Sequence, residues 1–200
     1  MSSAKIVLAS HNPGKLREIG EVLNELGMEA ISQSAFSVPE AVESGLSFVE
    51  NALLKARTAT QHTGLAAIAD DSGLEVDALG GQPGIHSARY AGPKATDQKN
   101  LEKLLKNLKE VPEQPFHARY QCVIVYMRHW QDPTPLICQG TWEGQILLAP
   151  QGNGGFGYDP IFYLPQHHCT AAELSPPEKN RLSHRGKALR ALLDVLREEN

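Results

Sequence analysis

Apolar residues recur along this chain with two periods, and the switches between them mark out its elements. Lys5 and the apolar run Ile6-Val7-Leu8-Ala9 that follows it predict a buried first strand over residues 5–9. Leu16, Ile19, Leu23 and Leu26 then repeat at helical spacing, so a helix follows directly. Residues 29–33 predict a second strand, and residues 36–46 a loop carrying Glu40, Glu43 and Gly45. Ser47-Phe48-Val49-Glu50 has capping-box spacing and opens a helix expected to run to His62, packing Phe48, Ala52, Ala56 and Ala59. The apolar run 65–69 predicts a buried strand ending at Asp70, and residues 74–79 a separate strand, closed by the glycine cluster 80–84 as a turn or lid. Thr96 opens a helix whose face is Leu101, Leu104, Leu105 and Leu108, with Lys99, Lys103, Lys106 and Lys109 on its solvated side. Residues 117–128 and 136–148 are rich in Val, Ile, Tyr and Trp, and read as a long antiparallel pair joined by Asp132-Pro133-Thr134-Pro135. A last helix starts at Ser183 and buries Leu189, Leu192, Leu193 and Leu196. The expected fold is therefore α/β, with βαβ material and a long antiparallel hairpin.

Composition narrows the class more than the fold. The 200 residues, 41% of them hydrophobic and 21% charged, suit a single globular domain over 1–200. A net charge of −4 provides no footprint for polymeric nucleic acid and fits poorly with an anionic membrane surface. No apolar run approaches the roughly 20 residues that span a bilayer. Cys122, Cys138 and Cys169 share no close spacing, so neither a disulfide framework nor a zinc knuckle is suggested, and the cytoplasm is the expected compartment. His167-His168-Cys169 is discounted as a metal site, because adjacent side chains point apart and no further ligand stands at suitable spacing.

Four stretches carry candidate chemistry. Ser10-His11-Asn12-Pro13-Gly14-Lys15 joins the first strand to the first helix, an arrangement that receives phosphate on backbone N–H groups or serves as an ordinary turn with a surface lysine. Ala69-Asp70-Asp71-Ser72-Gly73-Leu74 places two carboxylates at an expected strand end, where they either recruit a hard cation such as Mg²⁺ or cap a turn. Glu43, in a loop, is free to face a ligand, whereas Glu50 belongs to the helix cap; Arg89 reads as a phosphate clamp or a paired surface arginine. Gly154-Gly155-Phe156-Gly157-Tyr158-Asp159 offers aromatic faces and one acceptor to a nucleobase, or else forms a tight turn with an aromatic ring dropped into the core. Lys179, His184 and Arg185 sit at or before the last helix's N-terminus, where acids are favoured, and this suggests that an anion or polar ligand is received there.

Together these stretches, with Glu43-Ser44-Gly45 and Phe48-Val49-Glu50-Asn51-Ala52, closely resemble the motifs of the noncanonical purine nucleoside triphosphate pyrophosphatases, the Ham1-like inosine/xanthosine triphosphatases. The matches span almost the whole chain in order. Two positions depart from the pattern: Val42 stands where some members carry a second acid, and His11 where others carry glycine. The resemblance implies an elongated protomer with a mixed central sheet, two lobes flanking a cleft, and a homodimer. It implies Mg²⁺-dependent hydrolysis of ITP, dITP or XTP to the monophosphate and pyrophosphate. By the same resemblance Ser10, His11, Asn12, Pro13, Gly14 and Lys15 would hold the triphosphate. Asp71 would be the catalytic proton acceptor and a metal ligand, with Glu43 as a further ligand, and Ser72 would touch substrate. Phe156, Gly157, Tyr158 and Asp159 would enclose the base, with Lys179, His184 and Arg185 completing the contacts. The rival readings are a nucleotide sensor that does not hydrolyse, and a phosphatase releasing orthophosphate.

Overall fold

A computed structural model describes residues 5–24, 27–112 and 114–198; Leu26 of the expected first helical face lies outside them. The first strand, β1 (Lys5–Leu8), feeds α1 (Pro13–Asn24), whose proline at the first position has no N–H to leave unpaired. Then come β2 (Glu29–Ser32), α2 (Phe48–Thr63) and β3 (Ala67–Val76). Ser47 caps α2, its hydroxyl accepting from Glu50 N–H while the Glu50 carboxylate accepts from Ser47 Oγ and Leu46 N–H. Gly64, at φ 69°, ends the helix in the left-handed conformation that glycine adopts without strain. The chain continues through α3 (Asp97–Leu108), β4 (Phe116–Met127), β5 (Leu136–Ile146), β6 (Phe162–Leu164), β7 (Cys169–Thr170), α4 (Pro176–Leu182) and α5 (His184–Glu198).

The seven strands form one sheet in the order β2-β1-β3-β4-β5-β6-β7. β1 is parallel to β2 and β3, while β5–β6 and β6–β7 are antiparallel, so the sheet is mixed as expected. Across β4 and β5, Arg119 meets Glu143 and Gln121 meets Thr141; one number rises as the other falls, as antiparallel pairing requires. One expectation fails: residues 65–69 and 74–79 are not two strands with a turn at Ser72-Gly73. Residues 67–76 form the single ten-residue β3, which runs straight through the acidic pair, and Asp77–Leu79 close it as a 3-10 turn. Gly73 does not adopt positive φ, and Leu74 and Val76 are buried, so burial beyond the glycine outweighs its turn propensity.

The chain divides into two compact units. The first comprises residues 1–71, 122–140 and 185–200, and the second residues 72–121 and 141–184. In the first, alternate residues of each strand serve opposite faces of the sheet. Ile6, Leu8, Ile68, Cys122 and Ile124 pack on Ile19 and Leu23 of α1 and on Leu189, Leu192 and Leu196 of α5. Val7, Ala9, Ala67, Ala69, Val123 and Val125 pack on Ala52, Ala56 and Ala59 of α2, whose small side chains allow close approach. In the second unit, Leu74, Val76, Phe116, Ala118, Tyr120, Trp142 and Ile146 pack with Leu101, Leu104 and Leu108 of α3. The intervening strand positions there are polar and linked to one another: Glu75 to Gln121, Gln121 to Thr141, and Arg119 to Asp77 and Glu143.

Candidate active site

Because β3 continues through the acidic pair, its pleat decides where each carboxylate goes. Asp70 is in step with Ile68 and faces α1 and α5; Asp71 is in step with Ala67 and Ala69 and faces α2. The sequence places both acids together at an expected strand end, where one cation or one turn would serve the pair. The strand instead separates them onto opposite faces, each with its own cations.

Asp70 is fully buried. Lys15 Nζ from α1 stands 2.8 Å from its Oδ1. Arg185 from the first turn of α5 reaches its Oδ2 with Nε at 3.2 Å and Nη2 at 3.1 Å, and also pairs with Glu18. Burial opposes the Asp70 charge, but Lys15, then Arg185 and Lys55, outweigh it and hold the carboxyl well below the usual range. The Cys122 thiol donates to Asp70 Oδ2 at 3.6 Å; burial and then the Asp70 charge push that thiol up, so it remains a neutral donor. The positive charge that looked anomalous at the start of α5 thus has protein partners: Arg185 is the counter-ion of Asp70 and Glu18, a role that the sequence spacing of 115 residues concealed.

Asp71 has a leaner environment. Lys55 Nζ lies 2.7 Å from its Oδ1 and Asn51 Nδ2 3.4 Å from its Oδ2. The same ammonium lies 3.0 Å from Glu43 Oε1, so Glu43 and Asp71 converge on one cation. Asn51 also accepts from Gly45 N–H at 2.9 Å, which ties the Glu43 loop to the helix. A Cβ on Gly45 would come within 2.5 Å of Glu50 Cβ, so this close approach requires glycine. Burial raises the Asp71 carboxyl above its ordinary value, against the pull of Lys55 and Lys15. Burial also opposes the Lys55 charge, but Asp71, Asp70 and Glu43 together raise that ammonium and keep it protonated. Asn51 was named within a motif without a role, and Lys55 was not singled out in the sequence. The available signal was their spacing of four on the helix face of the Phe48–Ala52 motif.

The loop of residues 10–15 is capped from within. Asn12 Oδ1 accepts from Gly14 N–H at 2.9 Å and Lys15 N–H at 3.2 Å, and Ser10 Oγ accepts from Asn12 N–H at 3.2 Å. His11 Nδ1 lies 3.2 Å from Ser34 Oγ. His11, Asn12 and Pro13 are exposed, whereas Lys15 is turned toward Asp70. The donors expected to cradle phosphate are therefore engaged by the N-cap side chain.

In the second unit, the glycine-rich loop is held around Asp159. Its carboxylate accepts from Lys179 Nζ at 2.7 Å and Phe156 N–H at 2.8 Å on one oxygen, and from Tyr120 Oη at 3.3 Å on the other. Gly155, at φ 71°, must be glycine, since a Cβ there would lie 2.1 Å from Asp159 Oδ2. Asp97 at the start of α3 accepts from Gly157 N–H at 2.8 Å. Tyr158 was expected to offer its ring to a base; it is buried, donates to Ser87 carbonyl at 2.9 Å, and fills the core. Asp159 likewise anchors the loop rather than presenting an open acceptor. Phe156 is half-buried, with the Lys179 ammonium 4.6 Å over its ring. His184 stacks on Tyr120, and Ser72 is partly exposed on β3.

The Ham1 family profile matches residues 6–195. The chain belongs to the Ham1 family. It is 58% identical over 193 residues to the dITP/XTP pyrophosphatase of Shigella flexneri, covering 96% of this chain and 98% of that protein. It is 59% identical over 192 residues to the dITP/XTP pyrophosphatase of Vibrio parahaemolyticus, covering 96% of each. Among solved structures it is similar to a HAM1 protein from Coxiella burnetii, with TM-score 0.91 and 52% identity over 98% of this chain and 99% of that one. The Staphylococcus aureus Ham1 protein gives 0.85 and 40%, over 98% of this chain and all of that one. Among the described residues of this Ham1 chain, no three His, Cys, Asp or Glu side chains come together as a metal cage. The Glu43–Asp71 pair still suits Mg²⁺, which usually takes one or two carboxylates and completes its shell with water and substrate phosphate. That both acids already converge on one ammonium shows that their oxygens can serve a shared cation.

Proposed function

We propose that the protein hydrolyses noncanonical purine nucleoside triphosphates, dITP, XTP and ITP, to the nucleoside monophosphate and pyrophosphate, in the cytoplasm and with Mg²⁺. The observation that carries this reading is the division of labour in the acidic pair. Asp70 is locked as a permanent anion among Lys15 and Arg185, while Asp71 is raised by burial. Two neighbouring carboxyl groups whose environments push them apart form an acid–base site in the making. The relatives' activities support the same substrates. Among the described residues no helix is long and apolar enough to cross a membrane.

In this mechanism Asp71 accepts the proton of the water that attacks the α-phosphorus, and pyrophosphate departs. Glu43 and Asp71 would hold Mg²⁺, which when bound neutralises phosphate charge and makes water more acidic. Lys55 keeps Glu43 and Asp71 converged, and Asn51 orients the second Asp71 oxygen. An ammonium has three donors, so Lys15 can hold Asp70 and still meet a phosphate oxygen. Phe156, Lys179 and His184 take the purine. A six-keto oxygen accepts a hydrogen bond from His184, whereas the adenine amino group presents a donor to a donor, a mismatch that costs roughly 10⁴-fold or more in a buried hydrogen-bonding site. The family resemblance supports a homodimer, and the exposed Trp130 and Ile137 are apolar surface of the kind a partner copy covers.

The deciding assay is turnover of dITP, XTP and ITP with Mg²⁺ in ¹⁸O-water. Pyrophosphate, with the label in the monophosphate, is expected. Orthophosphate release would make the protein a phosphatase, and tight binding without products would make it a sensor.

A further inference from the structure

Tyr120 lies on β4, outside every motif singled out in the sequence, yet it touches both groups of residues assigned to the base. Its ring is stacked on the His184 imidazole, with centroids 4.6 Å apart and planes 8° from parallel. Its hydroxyl donates to Asp159 Oδ1 at 3.3 Å, and the other Asp159 oxygen holds Phe156 N–H and Lys179. Behind it, Phe162 packs at 4.6 Å in a tilted arrangement, and Trp142 lies 6.3 Å from both Tyr120 and His184, within 25° of parallel. His184, Tyr120 and Trp142 are all buried. A phenylalanine would fill the same apolar space, so the hydroxyl answers a need other than packing. Burial, then the Asp159 charge, push the phenol well up, which keeps it a hydrogen-bond donor.

We propose that Tyr120 is a specificity-determining positioning residue, setting the plane of the His184 imidazole and, through Asp159, the placement of the Phe156 loop, so that both meet a six-keto purine together. The argument is geometric. Both imidazole nitrogens direct their hydrogen bonds within the ring plane, and a hydrogen bond weakens steeply as its angle falls toward 120°. A parallel neighbour restricts tilt of that plane, which a globular aliphatic side chain cannot do. The hydroxyl then links this plane to the carboxylate on which the loop is built. Tyr120 itself needs no contact with substrate.

This rests on the assignment of His184 and the Phe156 loop to the purine, and the test separates the two. ITP and ATP are compared as kcat/KM in the wild type, Tyr120→Phe, Tyr120→Met and His184→Ala, with melting temperature recorded for each. Tyr120→Phe keeps the stack and removes the hydrogen bond; it should lower the ITP-to-ATP ratio about fivefold, through KM for ITP. Tyr120→Met keeps an apolar side chain at the buried position and loses the plane; it should lower the ratio by about thirtyfold. A purely structural role would reduce all substrates in proportion to the folded fraction and leave the ratio alone. A ratio within twofold of wild type in both variants, while His184→Ala changes it, overturns the role of Tyr120. An unchanged ratio in His184→Ala overturns the base assignment itself. If Tyr120→Met does not fold, Tyr120→Phe decides alone.

Discussion

The two units use the same sheet in opposite ways. In the first, helices cover both faces, and the acidic strand residues buried there, among the described residues, are Asp70 and Asp71. In the second, one face is apolar and the other carries an open ladder of Arg119, Asp77 and Glu143. There the buried charge is displaced from the strands to the pair of Asp159, in the glycine-rich segment, and Lys179 of α4. A charge on the ladder is hydrated and weakly coupled; a charge on β3 in the first unit must find partners from helices on either side. That difference separates buried acids proposed to do chemistry from charges that lie on a hydrated face.

The comparison is broken most directly at Asp71. Asp71→Asn should lower kcat by about 10²–10⁴-fold while the melting temperature stays within a few degrees; near-normal pyrophosphate release from the folded variant would remove Asp71 from the chemistry. Next comes Asp70→Asn, which leaves the buried Arg185 without its full counter-charge and should cost about 3–5 kcal/mol, read in denaturant titration. Its pH dependence has a defined sign. The folded pKa of Asp70 lies below the unfolded value, so its stabilisation is complete above that unfolded value, about 3.9, and is lost as pH falls toward the folded one. The wild type should therefore lose stability in acid more steeply than Asp70→Asn; equal slopes would contradict the pairing.

A smaller effect is expected from Gly155→Ala. It combines positive φ with displacement of the Asp159 carboxylate and should cost about 1–3 kcal/mol while raising KM for ITP more than it lowers kcat. An unchanged KM would detach the loop from substrate. At the bottom of the scale, Arg119→Ala removes exposed pairs with Asp77 and Glu143 and should change stability by less than about 1 kcal/mol, with kinetics unchanged. A loss as large as that of Asp70→Asn would mean that the ladder is not a solvated face.

Elements with an unambiguous period were legible in the sequence: α1, α2, α3, α5 and the β4–β5 hairpin follow their apolar spacing closely. β3 was not, because Asp-Asp-Ser-Gly has turn composition and only tertiary burial on both sides of it imposes an extended chain. The candidate site was legible as a set of motifs but not as a set of pairings. Arg185 and Lys179 looked like ligands seeking an anion, and their partners proved to be Asp70, Glu18 and Asp159. Lys55 resembled any helical lysine, and Tyr120 resembled any core aromatic, because what distinguishes each is a neighbour far away in sequence.

The lysine between Glu43 and Asp71 bears on how the proposed Mg²⁺ would arrive. An ammonium already offsets one of the two negative charges there, so a divalent ion would be held less firmly between turnovers, and chelators should leave the melting point almost unmoved. The proposed Mg²⁺ would gain most by entering with the negative charge of the polyphosphate, so that the metal–nucleotide complex, rather than either component alone, would be the species admitted.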